Sequence, residues 1–227
     1  MRKKDRVYSF KGNEFVFKHK PIYAFLKRCI DFLGAFIAII LLSWLLIILS
    51  ILVKCTSRGP VIYKSQRIGK GGKPFTFYKF RSMRVGAEAE LKKLEDKNEV
   101  EGGIIFKMHN DPRITKFGKF LRKTSLDELP QLFNILNGTM SIVGPRPCTV
   151  SEYEKMLSHD EYKEYSQLKV LVPQGLTCIW QCSGRSNTTF EQQMQMDIDY
   201  IKKRGFWFDV WLVLKTVPAV LFSKGAE

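Results

Sequence analysis

Residues 33–53, LGAFIAIILLSWLLIILSILV, carry no charge, and their only side-chain hydroxyls belong to Ser43 and Ser50. As an α-helix these 21 residues reach roughly 30 Å, the thickness of a bilayer's hydrocarbon core. The stretch is too long and starts too late for a secretory signal, and no small-residue cleavage site follows it. It reads as the centre of a membrane helix over 27–54. Two paths fit that length. Residues 1–28 carry nine Lys/Arg against Asp5 and Glu14, while residues 54–84 carry nine Lys/Arg and no acid. Basic residues normally concentrate on the cytoplasmic side of a spanning helix. Here both flanks are equally basic, which favours a helix that enters the inner leaflet and turns back over one that crosses. Ser43, near the midpoint, is the expected hinge, because its hydroxyl can bond a backbone carbonyl and bend the helix.

Working outward, residues 1–26 form a basic, aromatic arm without a clear period. Residues 55–227 form the cytosolic domain, with β-branched and aromatic residues over 60–83 flanking a Gly-rich turn at 69–72, a hairpin pattern. Its IGKGGK lacks phosphate-loop spacing. Helices are expected over 86–98 (stopped at Gly102-Gly103), after Phe117-Gly118, over 127–137, over 149–166 and over Phe190 to Lys203, with a loop-strand-loop over 171–185. The last segment, Phe206 to Phe222, is apolar but broken by Asp209, Lys215 and Pro218. It suits a helix lying in the headgroup region, or an ordinary buried terminal helix. The fold class is α/β, mainly helical with a small β-hairpin: one membrane-docked domain with a re-entrant helix and interfacial amphipathic helices. Oligomeric state is open, a homodimer included.

The chain of 227 residues has a net charge of +15, so an anionic partner is expected. The apolar segment and the lack of a recognised motif argue for lipid and against nucleic acid. Five cysteines give no disulfide framework, and Cys178 and Cys182 have no companion pair for zinc.

Chemistry concentrates in residues 122–147, RKTSLDELPQLFNILNGTMSIVGPRP. Adjacent Asp127 and Glu128 lie between Arg122 and Arg146. The acids could supply a nucleophile or metal ligands, and the arginines could clamp a diphosphate. The bland reading is a capping box, Ser125-Leu-Asp-Glu128. Pro130 fits better if Asp127 caps the helix, which places that carboxylate at a helix start. Pro145 and Pro147 would fix the backbone around Arg146. Lys79 and Arg81 alternate along a strand and would share one face. Asp111 and Arg113 either join the site or form a turn pair.

The blocks KRCIDFLGA, GPVIYKSQRIGKGGKPFTFYKFRSM, DPRIT, RKTSLDELPQLFNILNGTMSIVGPRP, GRSNTTFEQQ and LVLKT resemble the bacterial sugar transferase family, the monotopic polyprenyl-phosphate phosphoglycosyl transferases. The resemblance implies transfer of a sugar 1-phosphate from a UDP-sugar to undecaprenyl phosphate, initiating capsule, O-antigen or exopolysaccharide assembly. It implies that Asp127 forms a covalent phosphosugar intermediate with loss of UMP, that Mg²⁺ is held by Asp127 and Glu128, and that Arg122 and Arg146 contact phosphate. It also implies a location on the cytoplasmic face of a bacterial inner membrane, among anionic lipids. The family breaks its membrane helix at Ser-Pro, where this chain has Ser43-Trp44. It ties that helix to a later aspartate, for which Lys27 or Arg28 with Asp209 are candidates. An added multi-span region of some relatives is not expected here. The competing reading is a non-catalytic scaffold on anionic membranes, which leaves Asp127 and Glu128 beside Pro130 unexplained.

Overall fold

The N-terminal arm folds back on itself in the computed structural model, which describes residues 5–91, 94, 96, 98, 99, 104–106, 108, 110–183 and 188–221. Strands β1 (Arg6–Phe10) and β2 (Asn13–Phe17) pair antiparallel, correcting the expectation of an arm without structure. Lys11 and Gly12 take positive φ, 49° and 77°, as a two-residue hairpin turn requires. The signal was an alternation: Tyr8, Phe10, Phe15 and Phe17 pack on the main core while Val7 and Val16 stay exposed.

Helix α1 (Pro21–Leu41) and helix α2 (Ser43–Thr56) meet at 65°. Among the described residues no single helix is long and apolar enough to cross a membrane, and the bent pair meets that test only together. Leu42 is the elbow, and Ser43 Oγ donates to the Ile40 carbonyl at 2.8 Å. Strands β3 (Ile62–Ile68) and β4 (Pro74–Phe80) form the expected hairpin, with Gly71 and Gly72 at φ 72° and 75° in its turn. Helix α3 covers Ala87–Leu91, shorter than expected; residues 92, 93, 95 and 97 and the Gly102-Gly103 stop lie outside the described residues.

Helices α4 (Lys116–Lys123) and α5 (Gln131–Leu136) bracket the acidic pair. Strand β5 (Ser141–Val143) follows. The helix expected over 149–166 is two, α6 (Val150–Ser158) and α7 (Asp160–Lys169), divided where His159 takes an extended conformation. Strand β6 (Gly175–Thr177) pairs parallel with β5, and a side chain at Gly144 or Gly175 would strike the other's backbone. Helix α8 covers Ile179–Ser183, α9 covers Phe190–Lys203 as expected, and α10 covers Phe206–Leu221. Leu212 of α10 is fully buried, whereas Trp207, Leu214 and Val217 are exposed. That terminal helix is therefore packed on one side and bare on the other. The molecule is one mostly helical domain with three two-stranded sheets among the described residues.

The apolar helices belong to the core rather than hanging from it. Ala35 packs with Phe75, Phe77 and Ile135, and Leu49 and Val53 pack with Phe80 and Leu121. Helix α1 presents Tyr23, Lys27, Asp31 and Ala35, one residue per turn, to the domain, while Ile22, Phe25, Leu26 and Ile30 face outward. Asp209 accepts from Lys27 Nζ and Tyr23 OH, each at 2.7 Å, and from Tyr200 OH at 3.0 Å. This is the expected tie between the first apolar helix and a later aspartate, made by Lys27. Arg28 donates instead to the Ile135 and Leu136 carbonyls at the end of α5, at 2.6 and 2.8 Å. Asp31 accepts from the Ile142 amide at 2.9 Å.

Lys27 and Asp209 are nearly buried, with side chains 9% and 13% exposed, so removing one partner strands the other's charge. We expect Asp209→Ala to destabilise by about 3–5 kcal/mol. In detergent that is a fall of roughly 10 °C in Tm for a chain of this size. An unchanged Tm would show that the pair does not hold α1 to the domain.

Candidate active site

Helix α4, capped where Thr115 Oγ1 accepts from the Gly118 amide, ends at Lys123. Ser125 then takes a left-handed conformation, φ 57° and ψ 15°, uncommon for a residue with a side chain. It turns the chain into a 3₁₀ turn over Leu126–Glu128. Neither sequence-based capping scheme survives. The Ser125 side chain makes no capping bond, and Glu128 points to other partners. Pro130, at φ −61°, stands immediately before α5, so Asp127 precedes that helix rather than opening it. The reason is Pro130 itself: without an N–H it belongs at a helix edge, and α5 begins after it.

Both acids line a cleft of about 1700 Å³ between β4, α4, the loop after β5, and α7 to α9. Lys79 Nζ reaches Asp127 Oδ2 at 3.3 Å and Glu128 Oε1 at 3.0 Å. Arg146 forks onto Glu128, Nη1 to Oε2 at 3.2 Å and Nη2 to Oε1. Both Glu128 oxygens are thus taken by cations, while Asp127 Oδ1 makes no hydrogen bond among the described residues. The two carboxyls consequently diverge. Burial works against the charge of Asp127 and outweighs Lys79, raising its pKa, and the adjacent Glu128 charge adds to the rise. Burial opposes the charge of Glu128 as well, but Arg146 and Lys79 outweigh it and hold that carboxyl well below the usual range.

Arg122 also lines the cleft, its Nε donating to Ser82 Oγ at 3.0 Å. Asp111 and Arg113 do both things considered for them. They pair at 2.6 Å between Oδ2 and Nη2, and they line the cleft. Pro147 lines it too, whereas the Pro145 carbonyl accepts from the Gly175 amide at 2.9 Å and serves the β5–β6 junction. Arg81 is not brought to the site. Strand β4 ends at Phe80, and Arg81 Nη2 bonds Ser57 O and Oγ, both at 2.7 Å, so strand alternation no longer sets its direction. Ser43 lies at the helix elbow.

Sequence reasoning missed three contributors. Arg67 of β3 lines the cleft, donates to the Pro147 carbonyl at 3.3 Å and covers the Phe77 ring at 5.2 Å. Nothing in the basic hairpin pattern separates it from Lys64 or Lys73. Trp180 stands 5.9 Å from the Arg146 guanidinium. Lys169, Tyr165 and Asp197 form a buried triangle, with Lys169 Nζ 2.8 Å from both Tyr165 OH and Asp197 Oδ2. Its signal was legible: Asp197 falls on the apolar stripe Met194, Ile198, Ile201 of α9, where a charge needs a partner.

Titration of Asp127, followed by ¹³C NMR of its carboxyl, should have a midpoint above the ordinary aspartate range. Glu128→Gln should lower it, because the substitution removes a like charge and leaves Lys79 and Arg146 free to act on Asp127. A midpoint in the ordinary range would contradict the desolvation argument.

The model of the bacterial sugar transferase family matches residues 22–223. The chain is 40% identical over 227 residues to the galactosyl transferase CpsE of Streptococcus agalactiae, covering 98% of this chain and 49% of that protein. It is 41% identical over 205 residues to the undecaprenyl-phosphate galactose phosphotransferase of Salmonella typhimurium, covering 89% of this chain and 42% of that one. The exopolysaccharide production protein ExoY of Rhizobium meliloti is 38% identical over 210 residues, covering 91% and 90%. The chain therefore spans about half the length of the first two relatives and most of the third. With the family model covering nearly all of α1 to α10, this chain belongs to the bacterial sugar transferase family.

Proposed function

We propose that the protein transfers a sugar 1-phosphate from a UDP-sugar to undecaprenyl phosphate in two displacements at phosphorus. The observation that carries this reading is the division between the two carboxyls. Glu128 is fixed by Arg146 and Lys79, and Asp127 keeps one oxygen unpartnered on the cleft wall. Asp127 Oδ1 attacks the sugar-bearing β-phosphorus, and the bond to the UMP oxygen breaks. An oxygen of the acceptor phosphate then attacks the same phosphorus, the aspartyl–phosphate bond breaks, and the carboxylate is restored. Arg146 and Arg122, with Lys79 shared between the acids, supply cationic charge toward the phosphate oxygens.

Magnesium fits the donor set. It takes one or two carboxylates and fills its other positions with phosphate and water oxygens. Asp127 and Glu128 are such a pair, with no cluster of three or more His, Cys, Asp or Glu among the described residues. Asp127 would hold the ion, joined by Glu128 once one of its oxygens leaves Lys79 or Arg146, and the ion would offset phosphate charge. The names of the relatives support the donor and acceptor classes: one is a UDP-glucose:undecaprenyl-phosphate glucose-1-phosphate transferase, another an undecaprenyl-phosphate galactose phosphotransferase. The product would feed capsule, O-antigen or exopolysaccharide assembly. We place the reaction on the cytoplasmic face of the inner membrane, with α1 and α2 entering and leaving the same leaflet. There the cleft meets a water-soluble donor and a lipid headgroup at one interface.

Asp127→Asn should lower UMP release on the order of 10⁴-fold or more and abolish the covalent adduct. Its Tm at neutral pH should be equal to or above that of the parent. A carboxyl with a raised folded pKa weakens the fold once pH exceeds its unfolded value, and the neutral amide is free of that cost. The advantage should vanish in acid. An active Asn variant, or a phosphosugar trapped on another residue, would overturn the assignment.

Topology has its own test. In a background with Cys29 and Cys55 replaced by Ser, cysteines at exposed Glu14 and Pro60 should both resist an impermeant thiol reagent outside intact cells. Modification at only one of the two would mean a spanning helix.

A further inference from the structure

Six cations line the catalytic cleft among the described residues, and four of them are matched to acids. Arg113 pairs with Asp111 and Lys169 with Asp197, while Lys79 and Arg146 share Glu128. Arg122 and Arg67 remain. Asp127 is the leading charge acting on Arg122, which sets that guanidinium beside the attacking carboxylate. Arg67 stands elsewhere. Its ion pair, Nη1 to Glu152 Oε2, is a loose 3.7 Å, and that oxygen already accepts from the Thr149 amide at 2.7 Å. Arg67 Nε reaches Ser65 Oγ at 3.4 Å, and Nη2 makes no bond among the described residues. Burial opposes the Arg67 charge, Glu152 offsets only part of that, and the Arg146 charge adds to it, so the pKa is pushed down. An anion is what this guanidinium lacks.

Strand register says where it lies. Arg67 pairs opposite Phe75 and so shares one face of the β3–β4 hairpin with Phe77 and Lys79. The Arg67 guanidinium and Lys79 Nζ border the same Phe77 ring, 5.2 and 5.8 Å from its centroid. Lys79 touches Asp127, so Arg67 stands one aromatic ring beyond that cation. The end of β3 is also laced to the chain just after Arg146, the Ile68 amide donating to the Cys148 carbonyl at 3.0 Å. Lys79 and Arg146 thus serve the attacked phosphorus, and Arg67 adds charge at the place next to it. In-line displacement fixes what occupies that place. The UMP oxygen departs opposite Asp127, taking the electron pair of its bond to the β-phosphorus. The acceptor oxygen displaces Asp127 in turn, so it must bond to phosphorus from the side that UMP vacated. We propose that Arg67 holds the phosphate of departing UMP and then, in the same place, the acceptor phosphate.

This role for Arg67 rests on the two-displacement reading, and calorimetric titration of the full chain with UMP, in neutral detergent and magnesium, separates the two. Arg67→Gln should raise the UMP Kd roughly tenfold or more, and Arg67→Lys, which keeps the charge but not the fork, should raise it less. Glu152→Gln supplies the contrast. The amide oxygen can still accept from the Thr149 amide, so the cap of α6 survives, while the carboxylate that competes for Arg67 is gone. That variant should bind UMP at least as tightly as the parent, and the prediction stands even if Arg67→Gln folds poorly. If Arg67 merely anchored α6 through Glu152, the two Gln variants would lose affinity alike. The second half-reaction is read by adding undecaprenyl phosphate to the preformed phosphosugar adduct, whose discharge Arg67→Gln should slow by about the same factor. Lys64→Gln, an exposed change on the opposite face of the hairpin, should leave both measurements intact. Unchanged UMP affinity in Arg67→Gln, weakened affinity in Glu152→Gln, or discharge indifferent to Arg67 would overturn the assignment and leave the Asp127 adduct standing. A parent chain that neither binds UMP nor releases it from a UDP-sugar would overturn both.

Discussion

Glu128 is the residue on which the cleft converges. Its two oxygens receive Lys79 from β4 and both terminal nitrogens of Arg146 from the loop after β5, so one carboxylate joins three separate stretches of chain. In a buried setting such a contact is an obligation more than a gain, since losing one partner strands the others. The neighbouring backbone is fixed to match. Asn134, fully buried in α5, accepts from the Tyr78 amide at 3.1 Å and donates to the Thr76 carbonyl at 2.7 Å, in effect continuing the β4 edge with a side chain. That lacing sets where Lys79 stands relative to the acids. The Gly144–Gly175 contact does the same for Arg146.

Helix α1 enters this arrangement as a structural member. Its polar stripe would be costly on an isolated apolar helix, yet each member has a partner on the domain. Arg28 closes the C-terminus of the helix that begins after Pro130, and Asp31 holds the strand that leads to Arg146. The position of α1 and the geometry around Asp127 are therefore linked through α5 and β5. A displacement of α1 would therefore be felt at the cleft through both elements.

Much of this was legible in residue order. Period and turn chemistry gave the β3–β4 hairpin and the α9 boundaries, and the family resemblance implied a tie from Lys27 or Arg28 to Asp209, of which the structure makes the first. What escaped was of two kinds. Where a local rule admitted several endings, tertiary contacts chose: Ser125 looked like a cap and is a left-handed turn, and His159 divides a polar stretch that read as one helix. Where many residues looked alike, only position in space separated them. Arg67 and Arg81 are both arginines in a basic hairpin, and one faces the cleft while the other faces Ser57. Strand alternation could place Arg81 only as long as the strand lasted, and it stops one residue short.

The elbow at Leu42 turns the chain from α1 into α2 without a proline. In hydrocarbon every unbonded peptide group is expensive, so a bend is tolerable only if few bonds are lost. Here the Leu42 amide still bonds Ala38, and the Leu46 amide still bonds Leu42, each at 2.9 Å on either side of the break. The Ile40 carbonyl, at the elbow itself, accepts from Ser43 Oγ. A serine alone rarely bends a helix this far. The remaining force comes from packing, since Ala35 is buried against α5 and the β4 phenylalanines, while Leu49 and Val53 are buried against Phe80 and Leu121. The two halves are held by different parts of the domain, and the domain sets the angle between them. Ser43 makes the bend chemically acceptable, and the core makes it necessary.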